Sequence, residues 1–261
     1  MSEALPISVL LLARDETREL SRLIPVLSFA RETVVVWDPR GDRATRETAE
    51  RLGARVIERA FEGFGAQRQF ALALCRERWV LWIDADERPA PGFEAGLRQW
   101  LPSAGEAAGA RVLRHTWFLG RRIRFCGWRG ERVLRLFRRE RARFDDAPVH
   151  ERLLLDGAIE DLPLSLEHHS YSTMDDCLLK MDRYARAGAE KAWNAGRRAH
   201  AIDVALRPPL RFFRQYVLQA GLLDGAHGLL LCSLAAAQVM IKYGLLWDRT
   251  RRERGAAAEA P

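Results

Sequence analysis

In one stretch of this chain the apolar side chains give way abruptly to acid: Trp79-Val80-Leu81-Trp82-Ile83-Asp84-Ala85-Asp86-Glu87. The apolar part predicts a buried strand from Trp79 to Ile83, and strand alternation sends residues i and i+2 to the same side. Two carboxylates, Asp84 and Asp86, aimed at one spot make an oxygen-donor site for a hard cation. Mg2+ and Mn2+ suit it, because they complete their shells with substrate phosphates. In open α/β sheets, ligands bind at that same place, beyond the carboxyl ends of the strands. The competing reading of these residues is an acidic turn that caps a helix ahead of Pro89 and Pro91.

Four further constellations can do chemistry. Asp38 closes a second apolar run, where a carboxylate either accepts hydrogen bonds from a nucleobase or ribose or caps the next helix. Gly63-Phe64-Gly65-Ala66-Gln67-Arg68-Gln69 sets a flexible loop before a helix start, where backbone amides and Arg68 can meet a phosphate. In Val149-His150-Glu151-Arg152, Glu151 is a candidate general base, with an exposed ion pair as the alternative. In Glu167-His168-His169-Ser170-Tyr171, His168 can join the two aspartates around a metal ion or sit satisfied in a core. The arginines from Arg111 to Arg143 lie between these acidic segments. They read as a solvated face, or as bidentate grips on a diphosphate or a phosphorylated acceptor. No nucleic-acid recognition motif accompanies them.

The elements that must position these groups follow from periodicity. Ile7–Ala13, Thr33–Trp37, Ala54–Ile57 and Trp79–Ile83 predict buried strands. Leu20, Leu23, Ile24 and Leu27, then 46–52, then 67–75, predict the intervening helices. Strand and helix in alternation give a doubly wound parallel sheet. Beyond Pro102 the pattern changes: 109–118 and 131–138 predict half-buried antiparallel strands with interleaved arginines. From Met174 onward the reading is helical, with 174–196 amphipathic and Pro208-Pro209 breaking it from a second helical section. The stretch 226–247 is nearly long enough to span a bilayer. His227, Ser233, Gln238 and Lys242 dilute it, so an interfacial helix pair is preferred over a buried helix, a dimer contact or a full span. An Ala-rich tail beyond Arg249 predicts disorder.

At 261 residues, 48% of them hydrophobic, the chain has material for a real core. Its formal charge of +7 is almost wholly arginine and points to a partner bearing negative charge. Cys75, Cys126, Cys177 and Cys232 are scattered, and they read as reduced, buried thiols rather than a disulfide framework or zinc site. The N-terminus reads as running straight into a strand, not as a signal peptide.

Taken together, these segments resemble the family 2 glycosyltransferases of the GT-A fold, and among them most strongly the bacterial lipopolysaccharide core β-glucosyltransferases. The stretches that carry the likeness are Ile7–Glu16, Val34–Asp38, Gly53–Val56, Glu62–Leu72, Trp79–Arg88, Phe118–Gly120 with Gly127-Trp128, Arg132–Arg138, Val149–Arg152, His168–Tyr171, Leu223-Asp224-Gly225 and Lys242-Tyr243. The resemblance implies a GT-A (Rossmann-like) domain over 1–172, a C-terminal helical, membrane-associating region over 173–250, and a tail over 251–261.

By the same likeness Asp38 binds the nucleobase and Arg68 a phosphate, while Asp84 and Asp86 form the Asp-x-Asp pair that holds a nucleotide diphosphate sugar through Mg2+ or Mn2+. His168 completes the metal shell, and Glu151 is the catalytic base of an inverting transfer. The family's first loop carries an asparagine before its glutamate, and this chain has Arg14-Asp15-Glu16. Its second loop is one residue longer than Asp38-Pro39-Arg40-Gly41-Asp42. The implied reaction moves a sugar, glucose by the likeness, to a hydroxyl of a phosphorylated glycolipid. The implied location is the anionic cytoplasmic face of a bacterial inner membrane, peripherally bound. Rival expectations are a polyprenyl-phosphate glycosyltransferase, a metal-dependent phosphoesterase, and a binding protein on a degenerate transferase fold.

Overall fold

The structure, a computed structural model, describes residues 3–145 and 152–258, with side chains through Gly255. The chain divides into two compact units, Met1–Arg114 with Gly130–His168, and His115–Arg129 with His169–Pro261. The boundary expected at 172/173 thus falls at 168/169, and the segment 115–129 groups with the C-terminal helices.

The first unit opens with β1 (Leu5–Ala13), α1 (Thr17–Leu23), β2 (Ala30–Trp37), α2 (Arg43–Arg51), β3 (Arg55–Glu58), α3 (Phe64–Leu74) and β4 (Trp79–Trp82). The strands pair in parallel in the order β3-β2-β1-β4. Both faces are covered. Ile7, Val9 and Leu11 pack with Leu20 and Leu23 of α1, while Leu10, Val34 and Val36 pack with Ala71 and Leu72 of α3. Burial on both sides is why these strands lack polar alternation.

The chain continues through β5 (Glu87–Pro89), α4 (Phe93–Trp100), β6 (Gly109–Phe118), β7 (Arg121–Arg122), β8 (Arg132–Arg138), β9 (Ala142–Phe144), β10 (Leu153–Leu155) and β11 (Ile159–Tyr171). β8 runs antiparallel to both β4 and β6, and the sheet extends through β6-β11-β5. The antiparallel character expected of 109–118 and 131–138 is present, but half-burial is not general. β8 lies between two strands, and its residues 135–138 are all buried, two arginines included.

In the second unit, a two-residue turn at Leu119 and Gly120, both with positive φ, returns β6 into β7. That conformation matches the twist of a tight hairpin. α5 (Met174–Asn194) starts at Thr173, whose hydroxyl accepts the Asp176 N–H at 3.1 Å. α6 (Ala201–Phe213) follows and runs into a π-helical turn, Arg214–Leu218, and a 3-10 turn, Gly221–Asp224. α7 (Gly225–Ala258) closes the chain. The break expected at Pro208-Pro209 does not occur, because both prolines lie inside α6, where packing along α7 outweighs local propensity.

The stretch expected as a helix pair is one helix, α7, and it continues to Ala258 through the segment expected as a tail. Ala, Arg and Glu there are strong helix formers. The helical stretch Gly221–Gly255 contains an 18-residue window with a mean hydropathy of 1.7, and by length and composition it is able to cross a membrane. Leu231, Cys232, Leu246 and Thr250 bury one side of it. All four cysteines are free and buried, as expected.

Candidate active site

β4 ends at Trp82, one residue earlier than expected, and Asp84–Glu87 is a turn closed by the Glu87 N–H donating to the Asp84 carbonyl at 2.9 Å. The Glu87 side chain folds back, and its Oε2 accepts the Asp84 N–H at 3.1 Å. A single guanidinium binds both acids: Arg135 Nη2 donates to Asp84 Oδ2 and to Glu87 Oε1, each at 2.6 Å. Arg68 Nη2 lies 3.6 Å from Asp84 Oδ1, and Arg114 Nη1 lies 3.7 Å from Glu87 Oε1. Arg68 and Arg135 both sit over the Trp82 ring, at 4.2 and 4.3 Å from its centroid. An aromatic face there offsets part of the cost of burying two cations side by side.

The electrostatics follow from this packing. Burial works against the Asp84 carboxylate, but Arg135 and Arg68 outweigh it and hold the group below the usual carboxylate range. Burial wins at Glu87, which is fully inaccessible to solvent and titrates above its usual range despite Arg135. Burial pulls the Arg68 guanidinium down to about 10, so it still carries its charge at neutral pH. Burial also opposes the Arg135 charge, and the two acids more than reverse that.

Asp86 takes a different partner. Its Oδ2 lies 3.4 Å from His168 Nε2. The antiparallel pairing of β11 with β5 sets His168 opposite Glu87 and so fixes this approach. His169 stacks on Trp117 with ring centroids 5.5 Å apart, as alternation along a strand requires of neighbours. The Glu16 carboxylate accepts the Arg14 N–H, and burial, reinforced by the charges of Asp15 and Asp86, raises its titration.

Asp38 directly follows β2 and is buried. It is not the helix cap; Asp42 caps α2 by accepting the Ala44 N–H at 2.9 Å. Arg40 grips Asp38 through Nε and Nη2 at 3.0 and 2.8 Å, and also donates to the Phe61 carbonyl at 3.0 Å. Those hydrogen bonds lower the Asp38 titration. Glu151 lies outside the described residues.

Glu87, Arg135 and Glu16 are the site residues that sequence reasoning passed over. Arg135 had been grouped with a solvated arginine face, and its burial follows from strand order, which no local signal carries. Among the described residues, no group of three or more His, Cys, Asp and Glu is arranged to hold a metal. Both Asp84 oxygens face arginines, so the donors this turn can offer a cation are Asp86 and His168, 3.4 Å apart. Such a two-donor set fits an ion that draws its other ligands from phosphate and water, as Mg2+ does.

Comparison with known proteins bears on this geometry. Residues 20–146 match the model of glycosyl transferase family 2. Lipopolysaccharide core biosynthesis glycosyltransferase LpsC of Rhizobium meliloti (strain 1021) is 28% identical over 94% of this chain and 96% of its own length. An uncharacterized glycosyltransferase of Rickettsia conorii (strain ATCC VR-613 / Malish 7) is 36% identical over 31% of this chain and 29% of its own. The crystal structure of S. aureus TarS 1-349 in complex with UDP aligns with 95% of this chain and 91% of that one, at 12% identity and a TM-score of 0.44. The expected α/β fold with a C-terminal helical extension is the one observed. Residues 20–146 thus match a family 2 glycosyl transferase domain, and nearly the whole chain is similar to a lipopolysaccharide core biosynthesis glycosyltransferase.

Proposed function

We propose that this protein transfers a sugar, with inversion, from a nucleoside diphosphate sugar to a hydroxyl of a lipopolysaccharide core or similar cell-envelope glycolipid. It works bound peripherally to the cytoplasmic face of a bacterial inner membrane. The observation that carries the reading is the pairing of Asp86 with His168 beside an Asp84 already balanced by Arg68 and Arg135. This arrangement supports one group facing a metal–diphosphate and another holding the loop rigid.

In this scheme Asp86 and His168 hold Mg2+ or Mn2+, and Asp84, the other member of the Asp-x-Asp pair, acts through the arginines that fix its orientation. The bound ion supplies Lewis-acid neutralisation of the diphosphate as it leaves. Arg68, still charged at neutral pH, adds a preorganised cation at the same end of the sheet. Asp38 receives the nucleobase together with Arg40, whose guanidinium shares that carboxylate. Glu151 removes the proton from the acceptor hydroxyl as it attacks the anomeric carbon from the opposite face. A single displacement of this kind needs one base and one stabilised leaving group, and no covalent nucleophile.

Thermal stabilisation by a panel of nucleotide sugars, with and without Mn2+, tests the donor half. A saturating donor at about 100 times its dissociation constant adds about 2.7 kcal/mol of stability. Asp86→Ala is expected to lose the Mn2+-dependent part of that shift and to slow donor turnover by about 100-fold or more. Glu151→Gln is expected to keep donor binding while transfer falls by about 100- to 10,000-fold. A wild-type protein that no nucleotide sugar stabilises, and that turns none over, removes the proposal.

A further inference from the structure

The second unit exposes its large apolar side chains in a pattern. Ile202, Leu206, Leu210, Phe213, Val217 and Leu218 are all exposed, from 43% to 69%; the first five, spaced three to four residues apart, lie along one face of α6 and the π-helical turn after it, with Leu218 next to the last. A contiguous exposed apolar stripe marks an interaction surface. Arg211 and Arg214 flank it, and neither has an ion pair among the described residues. The apolar series continues along the chain through exposed Leu222 and Leu223.

Leu223 is also a wall of a cavity of about 440 Å³, lined further by Trp117, Arg121, Arg122, Arg124 and Phe125, with Gly120 and Asp224. The acid in this cavity is spent. Asp224 is buried, and its two oxygens accept the N–H groups of Arg124 and Phe125 at 3.0 and 2.9 Å. The guanidinium groups of Arg121, Arg122 and Arg124 have no carboxylate partner among the described residues. The Trp117 Nε1–H is buried with no acceptor. Three uncompensated arginines, an orphaned donor and an aromatic wall, with exposed Leu223 on the rim, match a phosphate carried on a hydrocarbon body.

We infer that this face docks on a membrane containing anionic phospholipid, with the apolar stripe in the interface and the arginine cavity taking a lipid headgroup phosphate. The inference rests on the peripheral-membrane part of the reading above and gives it a location. It does not require α7 to span, since α7 packs along α5 and α6.

Cosedimentation of the full chain with vesicles of phosphatidylcholine, with and without phosphatidylglycerol, is the test. Its arms are the wild type, Arg122→Gln with Arg124→Gln, and Leu210→Gln with Leu218→Gln. Each altered side chain is on the surface or the cavity wall, and circular dichroism confirms folding. An arginine near an anionic surface contributes about fivefold in affinity, so the double arginine variant should lose about 25-fold for anionic vesicles and little for neutral ones. The double leucine variant should lose both. Donor turnover measured without vesicles should be unchanged in both variants.

Equal binding of wild type and arginine variant to anionic vesicles overturns the inference, as does equal binding of wild type to both vesicle types. Inorganic phosphate raising the melting temperature through the same arginines, with vesicles inert, would reassign the cavity to a soluble ligand and also overturn it. Vesicle binding without donor turnover leaves this inference standing and removes sugar transfer alone. Turnover without vesicle binding does the reverse.

Discussion

Arg135 is the residue on which the proposed site turns mechanically. One of its nitrogens holds Asp84 and Glu87 at 2.6 Å each, with almost no solvent access. Removing one partner of such a cluster strands buried charge, so Arg135→Met should cost about 3–5 kcal/mol in urea unfolding. Adding Glu87→Leu should recover most of that, since Asp84 retains Arg68. Asp38 offers a test by pH. Its folded titration lies below the unfolded value of 3.8, so its ion pair with Arg40 contributes stability above that value and loses it as the pH falls through the lower folded one. The stability gap between wild type and Asp38→Asn should therefore be present at neutral pH and close in strong acid. Glu87 has the opposite sign: its raised titration favours the fold at low pH and opposes it as the pH rises through the folded value.

Legibility at this scale was uneven for a physical reason. Asp84 and Asp86 stand out because an apolar strand ends on them. Glu87 was passed over because strand alternation pairs Asp84 with Asp86, whereas the chain turns at Asp84–Glu87 and folds the Glu87 carboxylate back on the Asp84 N–H. Arg135 sits three residues from both Arg132 and Arg138, a spacing that fits no strand face, and only its place between β4 and β6 buries it.

At the scale of elements, the parallel strands were readable because burial on both faces writes an uninterrupted apolar run. Strand identity in the antiparallel half was readable, but strand position was not, since pairing partners leave no local mark. Helix continuity through Pro208-Pro209 depended on α7, far along the chain. Loops also constrain one another in ways composition hides. A Cβ on Gly41, in the turn between β2 and α2, would lie 2.2 Å from the Arg14 carbonyl oxygen in the loop after β1. Gly41→Ala must therefore push apart two loops at the end of the sheet that carries the proposed donor site. It should cost about 1–3 kcal/mol by thermal unfolding and weaken nucleotide binding more than Ala substitution at exposed Arg43.

For the whole molecule, the formal charge of +7 is spread unevenly in its consequences. Some arginines are consumed internally, as Arg138 is by the Ala107 and Gly105 carbonyls, and others around the cavity in the second unit have no carboxylate partner among the described residues. Only their placement in the fold separates the two kinds, which is why composition pointed to an anionic partner without saying where it would be met. The buried cysteines carry a last consequence. Burial pushes the Cys75 thiol up to about 12, and burial raises Cys126, Cys177 and Cys232 as well. Thiolate is the reactive form, so all four are silent toward alkylating reagents while the chain is folded. Cys75 belongs to the first unit and the other three to the second. Mass-resolved alkylation across a urea gradient should therefore read the opening of each unit separately, without any added label, and alkylation of the native chain at the rate of a free thiol would contradict the packing described.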